Sequence, residues 1–523
     1  MEQHGSESFF VLGEGLLDES SGGRERPLSA AVEAQAPPFR FSRMGQKGTQ
    51  LSQAARRKIA QAMADGGGGG SRIPAGFTYL GQFIDHDLTS DRTKVMLGEN
   101  VSPAELLQAR SPSLDLDSLY GAGPSNRRSA VFYRDDRHLK MGKTVAVGGD
   151  AAKQGFDLPR VGTGATSAAK RTALIPDVRN DENLAVAQTH LSFIRFHNRV
   201  VDTLPASTPT AQRFARAREL VVKHYQWMIR HDYLPRICGR AVVTDVFNNG
   251  RKVFEVEVGP TDVPTMPIEF SVAAFRLGHS MIRTAYDWNA RFPDGQGTLD
   301  LLFTFSGTSG DLGGSLRLPS NWIADFRRLY DFGEAGRDDL SVPESMFNRA
   351  RRIDTTLVDP LRNLRPESFG GPAAPDNDQT RNLAFRNLTR AKMVKLATGQ
   401  QMVRLLKNRG VPVTALTKAQ IRNGDNGAIL DGLTATQRDA LVADTPLWFY
   451  TLREAELNRG RLSGVGARIV AETFHRAIEG SRHSILRDPT WRPTLGPNNR
   501  TFRMVDLLLF AFEGKKALLN PLG

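Results

Sequence analysis

The pattern of hydrophobic and polar positions predicts a mainly helical protein. Over 183–202, apolar side chains recur at the three- and four-residue spacing of one helix face. The segment 211–233 repeats this pattern, and we expect Pro235 to end that helix. Further helices are predicted at 268–284, 319–331, 391–407, 416–424, 434–443, 465–479 and 503–513. Two alternating runs, Lys252–Val258 and Asp300–Phe305, are the strand candidates.

The hydrophobic segments predict one domain rather than several. No convincing linker interrupts them between residues 72 and 515, and no internal repeat is visible. Residues 1–38 are rich in Gly, Ser, Glu and Pro, which predicts a poorly ordered N-terminal arm. We therefore expect a single large helical domain over 39–523, with long loops and minor β structure.

Composition narrows the choice of partner and compartment. The net charge is +13, but the arginines are dispersed and no basic tail is present, so we expect small anions rather than nucleic acid as partners. No apolar run reaches the roughly 18 residues of a transmembrane segment. The first residues lack a signal-peptide pattern, and the single Cys238 excludes an internal disulfide. A cytoplasmic protein, or one exported without a classical signal, is expected.

Two segments concentrate polar chemistry among apolar neighbours. In GQFIDHDLTSD, residues 81–91, a helix places Gln82, Asp85 and His86 on one face. In PDVRNDENLAVAQTHLSFIRFHNR, residues 176–199, Arg179 and Glu182 are three positions apart and can face one pocket. Each segment also has a purely structural interpretation. The first can be the solvent-facing side of an amphipathic helix, and the second can be a helix start at which the helix dipole stabilises acidic residues.

Three later segments add candidate ligands. FSVAAFRLGHSMIR, residues 270–283, contains His279, although a lone histidine on an apolar helix is more often a core residue. RNLAFRNLTR, residues 381–390, contains Asn387 and Arg390. In RSPSLDLDSLYG, residues 110–121, oxygen-bearing side chains occupy every second position, as in some cation-binding loops and in plain solvated loops.

Taken in order, these segments resemble the animal haem peroxidases of the peroxidase–cyclooxygenase superfamily, and in particular the peroxinectin and myeloperoxidase-like branch found in bacteria. The resemblance covers roughly residues 40–515 and implies the mainly α fold of that family. It also implies a catalytic group above the haem iron, in which His86 is the acid–base, Arg179 stabilises developing charge, and Gln82 holds water or halide.

The same resemblance implies how haem b is held. Asp85 and Glu182 match the carboxylates that form two esters to the haem, and His279 matches the iron ligand below it. The matching residues further imply that the Asn387 amide oxygen holds the other ring nitrogen of His279, while Arg276 and Arg390 are candidate partners of the propionates. Asn183 occupies the place of a methionine in myeloperoxidase, so no third covalent link is expected.

A calcium site is also implied by the resemblance. Its ligands would be Asp87, Ser111, Ser113 through its carbonyl oxygen, Asp115 and Asp117. This sequence has serine at 111 where threonine is usual and aspartate at 117 where serine is usual. Such a site would connect the helix of His86 to the loop.

The expected activity is reduction of hydrogen peroxide with oxidation of a small phenolic or halide donor. A fatty-acid dioxygenase is the alternative within the superfamily, but its radical tyrosine lies three residues before the iron-binding histidine, where this chain has Arg276. A haem-binding adhesion protein without turnover is the alternative from another class. The presence of His86, Arg179 and Gln82 argues against it.

Overall fold

Helices dominate the computed structural model, which describes residues 39–64, 69–91, 93, 98–149, 153–364 and 381–522. The predicted N-terminal arm, residues 1–38, lies outside this range. The helices of eight or more residues in the described part are α1 Gln53–Ala64, α2 Gly76–Leu88, α3 Leu184–Thr203, α4 Thr210–Met228, α5 Arg240–Asn249, α6 Leu383–Met393, α7 Gly399–Asn408, α8 Ala435–Ala443, α9 Leu447–Leu457, α10 Gly464–Glu479 and α11 Met504–Ala511.

The long periodic segments form the predicted helices. The helix α3 begins after Asn183, whose side chain accepts the Val186 N–H and so caps the first turn. The predictions at 416–424, 434–443, 465–479 and 503–513 are confirmed by Lys418–Asn423, α8, α10 and α11. Pro235 does not end the α4 segment, because the chain continues through the π-turn Ile229–Tyr233 into Leu234–Ile237. There Pro235 occupies the first turn, where its missing N–H is not needed.

Three segments predicted as continuous helices are instead broken into shorter pieces. The segment 268–284 is divided into the short helix Ile268–Ser271, the 3₁₀ turn Ala274–Leu277 and the short helix Gly278–Met281. The segment 319–331 contains only the 3₁₀ turns Ser320–Trp322 and Phe326–Arg328. The segment 391–407 is divided between the end of α6 and the start of α7, where Thr398 forms a capping box.

Both strand candidates are also wrong. Leu299–Thr304 is a helix capped by Thr298, whose side chain accepts the Leu301 N–H. The Lys252–Val258 segment forms turns, because the Glu472 carboxylate accepts the N–H groups of residues 252–254 in place of a neighbouring strand. A side-chain acceptor thus replaces the β-ladder in both cases, a local one at Thr298 and a distant one at Glu472 of α10.

The β structure is minor, as predicted. The strands are β1 Phe39–Ser42, β2 Gly70–Pro74, β3 Leu107–Gln108, β4 Gly142–Lys143, β5 Gln154–Asp157, β6 Met266–Pro267, β7 Ala285–Tyr286, β8 Gly297–Thr298 and β9 Arg349–Arg351. They form a three-stranded sheet in the order β3-β1-β6 and the pairs β2-β9, β4-β5 and β7-β8. β2 and β9 pair antiparallel, with Pro74 opposite Arg349.

One hydrophobic core extends through the described helices. At its centre α2 packs against α3 on one side and against the short helix Gly278–Met281 on the other. Phe83 of α2 stacks on Phe193 of α3 with ring centroids 4.4 Å apart. In the described part of the chain, no helix has both the length and the apolar character that crossing a bilayer requires. The packing places the two polar segments of the sequence next to each other.

Candidate active site

A narrow cavity separates α2 from the Ala274–Met281 segment. Its walls include Gln82 and Asp85 on the α2 side and Arg276 and His279 on the other. The remaining lining residues are mostly apolar or small, and they are Thr78, Gly81, Tyr233, Phe275, Gly278 and Ile282. Four of the predicted site residues, from two distant parts of the chain, thus meet at one cavity.

His86 is fully buried and does not itself line the cavity, and it is held in one orientation. Its Nδ1 lies 2.9 Å from the amide oxygen of Asn180, so Nδ1 carries the ring proton and donates it. Its Nε2 has no hydrogen-bond partner and lies 3.7 Å from Glu182 Oε1. Burial, together with the charge of Arg179, lowers the pKa of His86 to about 3. The imidazole is therefore a neutral base with an available lone pair.

Arg179 is fixed by a buried carboxylate that the sequence analysis did not identify. Its Nε and Nη2 donate to the two oxygens of Asp177 at 3.0 and 2.7 Å, and Nη2 also donates to the His86 carbonyl at 3.0 Å. Burial alone would lower the pKa of Arg179, but the Asp177 charge raises it. The remaining nitrogen, Nη1, is buried without a partner. A permanent positive charge therefore has the NH2 group of Nη1 left to donate.

Gln82 joins the two polar segments. Its amide nitrogen donates to Glu182 Oε1, and its amide oxygen accepts from Asn183 Nδ2 at 3.0 Å. The Glu182 carbonyl accepts from the Ser306 hydroxyl at 3.1 Å, and Glu182 is buried. These bonds set Glu182 next to the face of α2 that carries Gln82 and His86, although Glu182 itself does not line the cavity.

Asp85 is the carboxylate that faces the cavity from α2. Burial raises the pKa of Asp85 to about 6, and the charges of Arg276 and Arg179 act in the opposite direction. The side chain is therefore close to a balance between its acid and its carboxylate form near neutral pH.

On the opposite wall, His279 contacts Asn387 of α6, as predicted, but through the other end of the amide. Asn387 Nδ2 lies 2.9 Å from His279 Nδ1, and Asn387 Oδ1 accepts from Arg276 Nη1 at 3.4 Å. In this arrangement Nδ1 is an acceptor, so the ring proton is on Nε2. An iron ligand needs the lone pair of Nε2, and half a turn of the amide would supply it.

Arg390 does not line the cavity. It lies on α6 and donates from Nη2 to Asp91 Oδ2 at 2.8 Å. Arg276, by contrast, lines the cavity and donates from Nε to the Ser271 carbonyl at 2.9 Å. Of the two arginines predicted to bind propionates, the structure brings only Arg276 to the site.

The predicted calcium residues lie near each other, and protein donors contact at least one oxygen of each of their carboxylates. Burial and then the Asp117 charge raise the pKa of Asp87 to about 7 and that of Asp115 to about 6. Asp87 accepts from Leu116 N–H and from Ser118, Asp115 accepts from the Ser481 hydroxyl, and Asp117 pairs with Arg218. Ser111 accepts the Ser113 N–H at 3.3 Å.

Within the described ranges, no three His, Cys, Asp or Glu side chains are arranged to hold a metal ion. The predicted ligand set is therefore not assembled, and calcium remains a prediction.

Sequence reasoning missed three residues of the site. Asp177 has a usable signal, since an acidic residue two positions before Arg179 caps the 3₁₀ turn Val178–Asp181 and can reach the guanidinium. Asn180 has none, because its contact with His86 depends on how α2 packs. Trp448 of α9 also has none; its indole N–H donates to the Arg276 carbonyl at 3.3 Å, and its ring meets that of His279 edge to face.

Comparison with known proteins identifies the relatives of this chain. Residues 88–307 match the sequence model of the animal haem peroxidase family. The chain is 26% identical to a peroxidase-like protein of Margaritifera margaritifera over 251 residues, which are 40% of this chain and 32% of that protein. It is 29% identical to mouse thyroid peroxidase over 192 residues, 35% of this chain and 20% of that one. The chain thus spans about a third or less of these curated relatives.

Solved structures extend the likeness to the whole fold. Peroxidase A from Dictyostelium discoideum matches with a TM-score of 0.61 at 16% identity, over 98% of each chain. A fatty acid alpha-dioxygenase from Oryza sativa matches with a TM-score of 0.54 at 12% identity, over 99% of this chain and 87% of that one. The predicted resemblance to the animal haem peroxidase superfamily and the mainly α peroxidase fold are confirmed. The bacterial branch remains a prediction.

Proposed function

We propose that this chain is a haem peroxidase that reduces hydrogen peroxide at the expense of a small phenolic or halide donor. The carrying observation is the cavity between Asp85 and His279, together with the buried His86 imidazole and Arg179 guanidinium, which do not line the cavity but each keep a nitrogen without a partner. The family match supports a haem oxidoreductase of this superfamily, and the side chains support the peroxidase chemistry.

The donor set around the cavity fits a haem. Three buried polar atoms on the α2 side, His86 Nε2, Arg179 Nη1 and Asn180 Nδ2, have no partner. Buried polar atoms normally have one, so a polar ligand or water belongs beside them. We assign iron binding to His279, the two ester links to Asp85 and Glu182, and a propionate contact to Arg276. When bound, the haem supplies the redox chemistry.

The α2 side is built to move a proton and to stabilise a negative charge. His86 Nε2 can accept a proton from one oxygen of hydrogen peroxide and return it to the departing oxygen, as general base and then general acid. Arg179 Nη1 can donate a hydrogen bond where negative charge develops during O–O cleavage. Because Asp177 holds the guanidinium on two sides, this charge is oriented before the substrate arrives.

The His279 side requires a small rearrangement that Asn387 can provide. Rotation of the amide places Oδ1 against His279 Nδ1, so that Nδ1 donates and Nε2 has a free lone pair. The amide is neutral, and it therefore leaves the imidazole less electron-rich than a carboxylate partner would. Arg276 then loses its contact with Oδ1 and keeps its bond to the Ser271 carbonyl.

A fatty-acid dioxygenase is the second candidate, because plant enzymes of that activity share the fold. The position that holds its radical tyrosine is Arg276 in this chain. Tyr233 is the tyrosine among the described lining residues, and it belongs to the π-turn after α4 rather than to the His279 segment. We therefore favour the peroxidase.

The decisive experiment uses full-length protein expressed with haemin supplied. We expect a haem absorption spectrum and peroxide-dependent oxidation of guaiacol or bromide well above that of free haemin. His86→Ala should lower the rate about 100- to 10,000-fold, the usual contribution of general acid–base catalysis. His231→Ala is the control, since His231 is exposed and packs on Trp227 outside the cavity.

Three results would contradict the proposal. Colourless protein would exclude haem binding, and a normal spectrum without turnover would favour the adhesion alternative. Peroxide-independent oxygen uptake with palmitate would favour the dioxygenase.

The ester links are tested separately with acidified acetone, which removes haem that is not covalently bound. We expect the pigment to stay with the wild-type protein after turnover with peroxide. Asp85→Val should make more of it extractable while the protein still folds. Complete extraction from the wild type would exclude the esters and leave the peroxidase proposal intact.

A further inference from the structure

A second cavity opens where three distant segments of the chain meet. They are β2, the residue before α5, and the turn that follows α9. The lining residues are Gly70, Ser71, Arg72, Ile73, Gly239, Asn458, Arg459, Gly460 and Arg461. Three of the nine are arginines, and none is acidic or aromatic. No lining residue is shared with the cavity at His279.

The three arginines have no partner of their own. Arg72, Arg459 and Arg461 are exposed, and in the described part of the chain none of their side chains forms an ion pair or hydrogen bond. Neighbouring arginines do have acidic partners. Arg349 binds Glu344, and Arg352 binds Asp425. Positive charge is therefore left uncompensated at this cavity, and such a concentration attracts anions.

The turn after α9 has a defined backbone geometry. Arg459 has φ = 57°, in the left-handed region that glycine or asparagine adopts with less strain. Asn458 Nδ2 donates to the Arg461 carbonyl at 3.0 Å and closes the turn. An arginine is thus kept at a position where the backbone alone would favour glycine, and its neighbour Gly460 is buried.

We propose that this cavity binds a linear oligophosphate. Guanidinium groups form paired hydrogen bonds with phosphate oxygens, and three of them match a chain of two or three phosphates. Because the lining has no aromatic side chain, it offers no stacking partner for a nucleobase. Gly70 leaves open space at the wall, since a Cβ atom there would meet nothing within 4 Å. This site is independent of the proposed peroxidase activity.

The test is calorimetric titration of the haem-loaded full-length protein with inorganic tripolyphosphate. We expect saturable 1:1 binding. Arg459→Gln/Arg461→Gln should weaken it by about tenfold or more, since hydrogen bonds to charged groups contribute about 1.5–3 kcal/mol each and 1.4 kcal/mol is tenfold in affinity. Arg127→Gln/Arg500→Gln removes two exposed arginines elsewhere and should leave binding unchanged.

A further variant separates binding from folding. Arg459→Gly removes the guanidinium and relieves the left-handed strain, so it should weaken binding while leaving the melting temperature equal or higher. Equal binding of sulfate at the same ionic strength would overturn the proposal in favour of general anion attraction. Tighter binding of ATP than of tripolyphosphate would overturn it in favour of a nucleotide site. An equal effect of the control pair would place the binding elsewhere.

Discussion

At the residue scale, the pKa of His86 determines the pH range of the proposed reaction. Burial and the Arg179 charge lower this pKa to about 3, so the imidazole is a free base throughout pH 4–8. We expect the rate constant for the reaction with peroxide to stay flat over that range, rather than to fall below the ordinary value of about 6.5. Stopped-flow measurement at the haem band checks this expectation.

Asn180 allows the same prediction to be tested by substitution. In Asn180→Asp a negative charge replaces the amide that accepts from His86 Nδ1, so the pKa should rise and the rate should begin to fall at a higher pH. Asn180→Leu removes the acceptor without adding charge, and we expect a rate lowered about tenfold, equivalent to one hydrogen bond. A midpoint near pH 6.5 in the wild-type protein would show that the pKa of His86 is not lowered in this way.

The same titration affects stability. Because the folded-state pKa of His86 lies below that of the unfolded chain, the unfolded state binds a proton first as the pH falls. This group therefore removes stability between about pH 6.5 and 3. It contributes no pH dependence above that window, where the ring is neutral in both states.

At the scale of elements, the close contact between α2 and the π-turn Ile229–Tyr233 limits the width of the cavity in which we propose that haem binds. A Cβ atom added at Gly81 would lie 2.3 Å from the Tyr233 hydroxyl oxygen, and both residues line the cavity. We expect Gly81→Ala to move Tyr233 or α2 and to lower haem content, at a cost of about 1–3 kcal/mol in folding free energy. The ratio of haem to protein absorbance measures the effect.

A double substitution tests whether the clash with Tyr233 causes the loss of haem. In Gly81→Ala/Tyr233→Phe the hydroxyl is absent, and the nearest remaining atom of the ring is 3.2 Å from the added Cβ. Haem content should therefore recover most of the way. If the double variant binds no more haem than Gly81→Ala alone, the clash with Tyr233 is not the reason for the loss.

The loop that precedes Ser118 tests the calcium prediction. Asp87 of α2 accepts from Leu116 and Ser118, so the loop and helix are already joined without a metal. If calcium binds there, it should raise the melting temperature of the wild-type protein after EDTA treatment, and Asp87→Asn should abolish the rise. Asp136→Asn, at an exposed position, is the control. If calcium does not change the melting temperature of the wild-type protein, the loop and α2 are joined by hydrogen bonds without a metal.

Sequence pattern predicted those elements whose stability is local. Long amphipathic helices such as α3 and α10 can be predicted because their apolar residues recur at the helical spacing. The His279 segment has equally apolar neighbours, but it breaks at Arg276, where ψ is 15°. The break depends on tertiary contacts of Arg276 with the Ser271 carbonyl and with Asn387. Motif order likewise located His86 and Arg179, while Asn180 and Trp448 needed the packed structure.

At the scale of the whole molecule, the proposed haem joins two halves that are distant in sequence. Its α2 side comes from residues 76–88 and 178–183, and its His279 side from residues 274–281 and from Asn387. A ligand that binds only when both halves are in place stabilises the folded state by mass action, by about 4 kcal/mol at a thousandfold excess over its dissociation constant.

This coupling predicts a large difference between haem-free and haem-loaded protein. Loading should raise the melting temperature by several degrees and slow amide exchange in α2 and in the Gly278–Met281 helix together, because the ligand contacts both. His279→Gly removes the iron ligand, and added imidazole can occupy the space that it leaves. We therefore expect imidazole to restore both the spectrum and the melting temperature of that variant, and to do neither for His231→Ala. Slowed exchange in α2 alone would mean that haem contacts only one wall, and the proposed place of His279 would then be wrong.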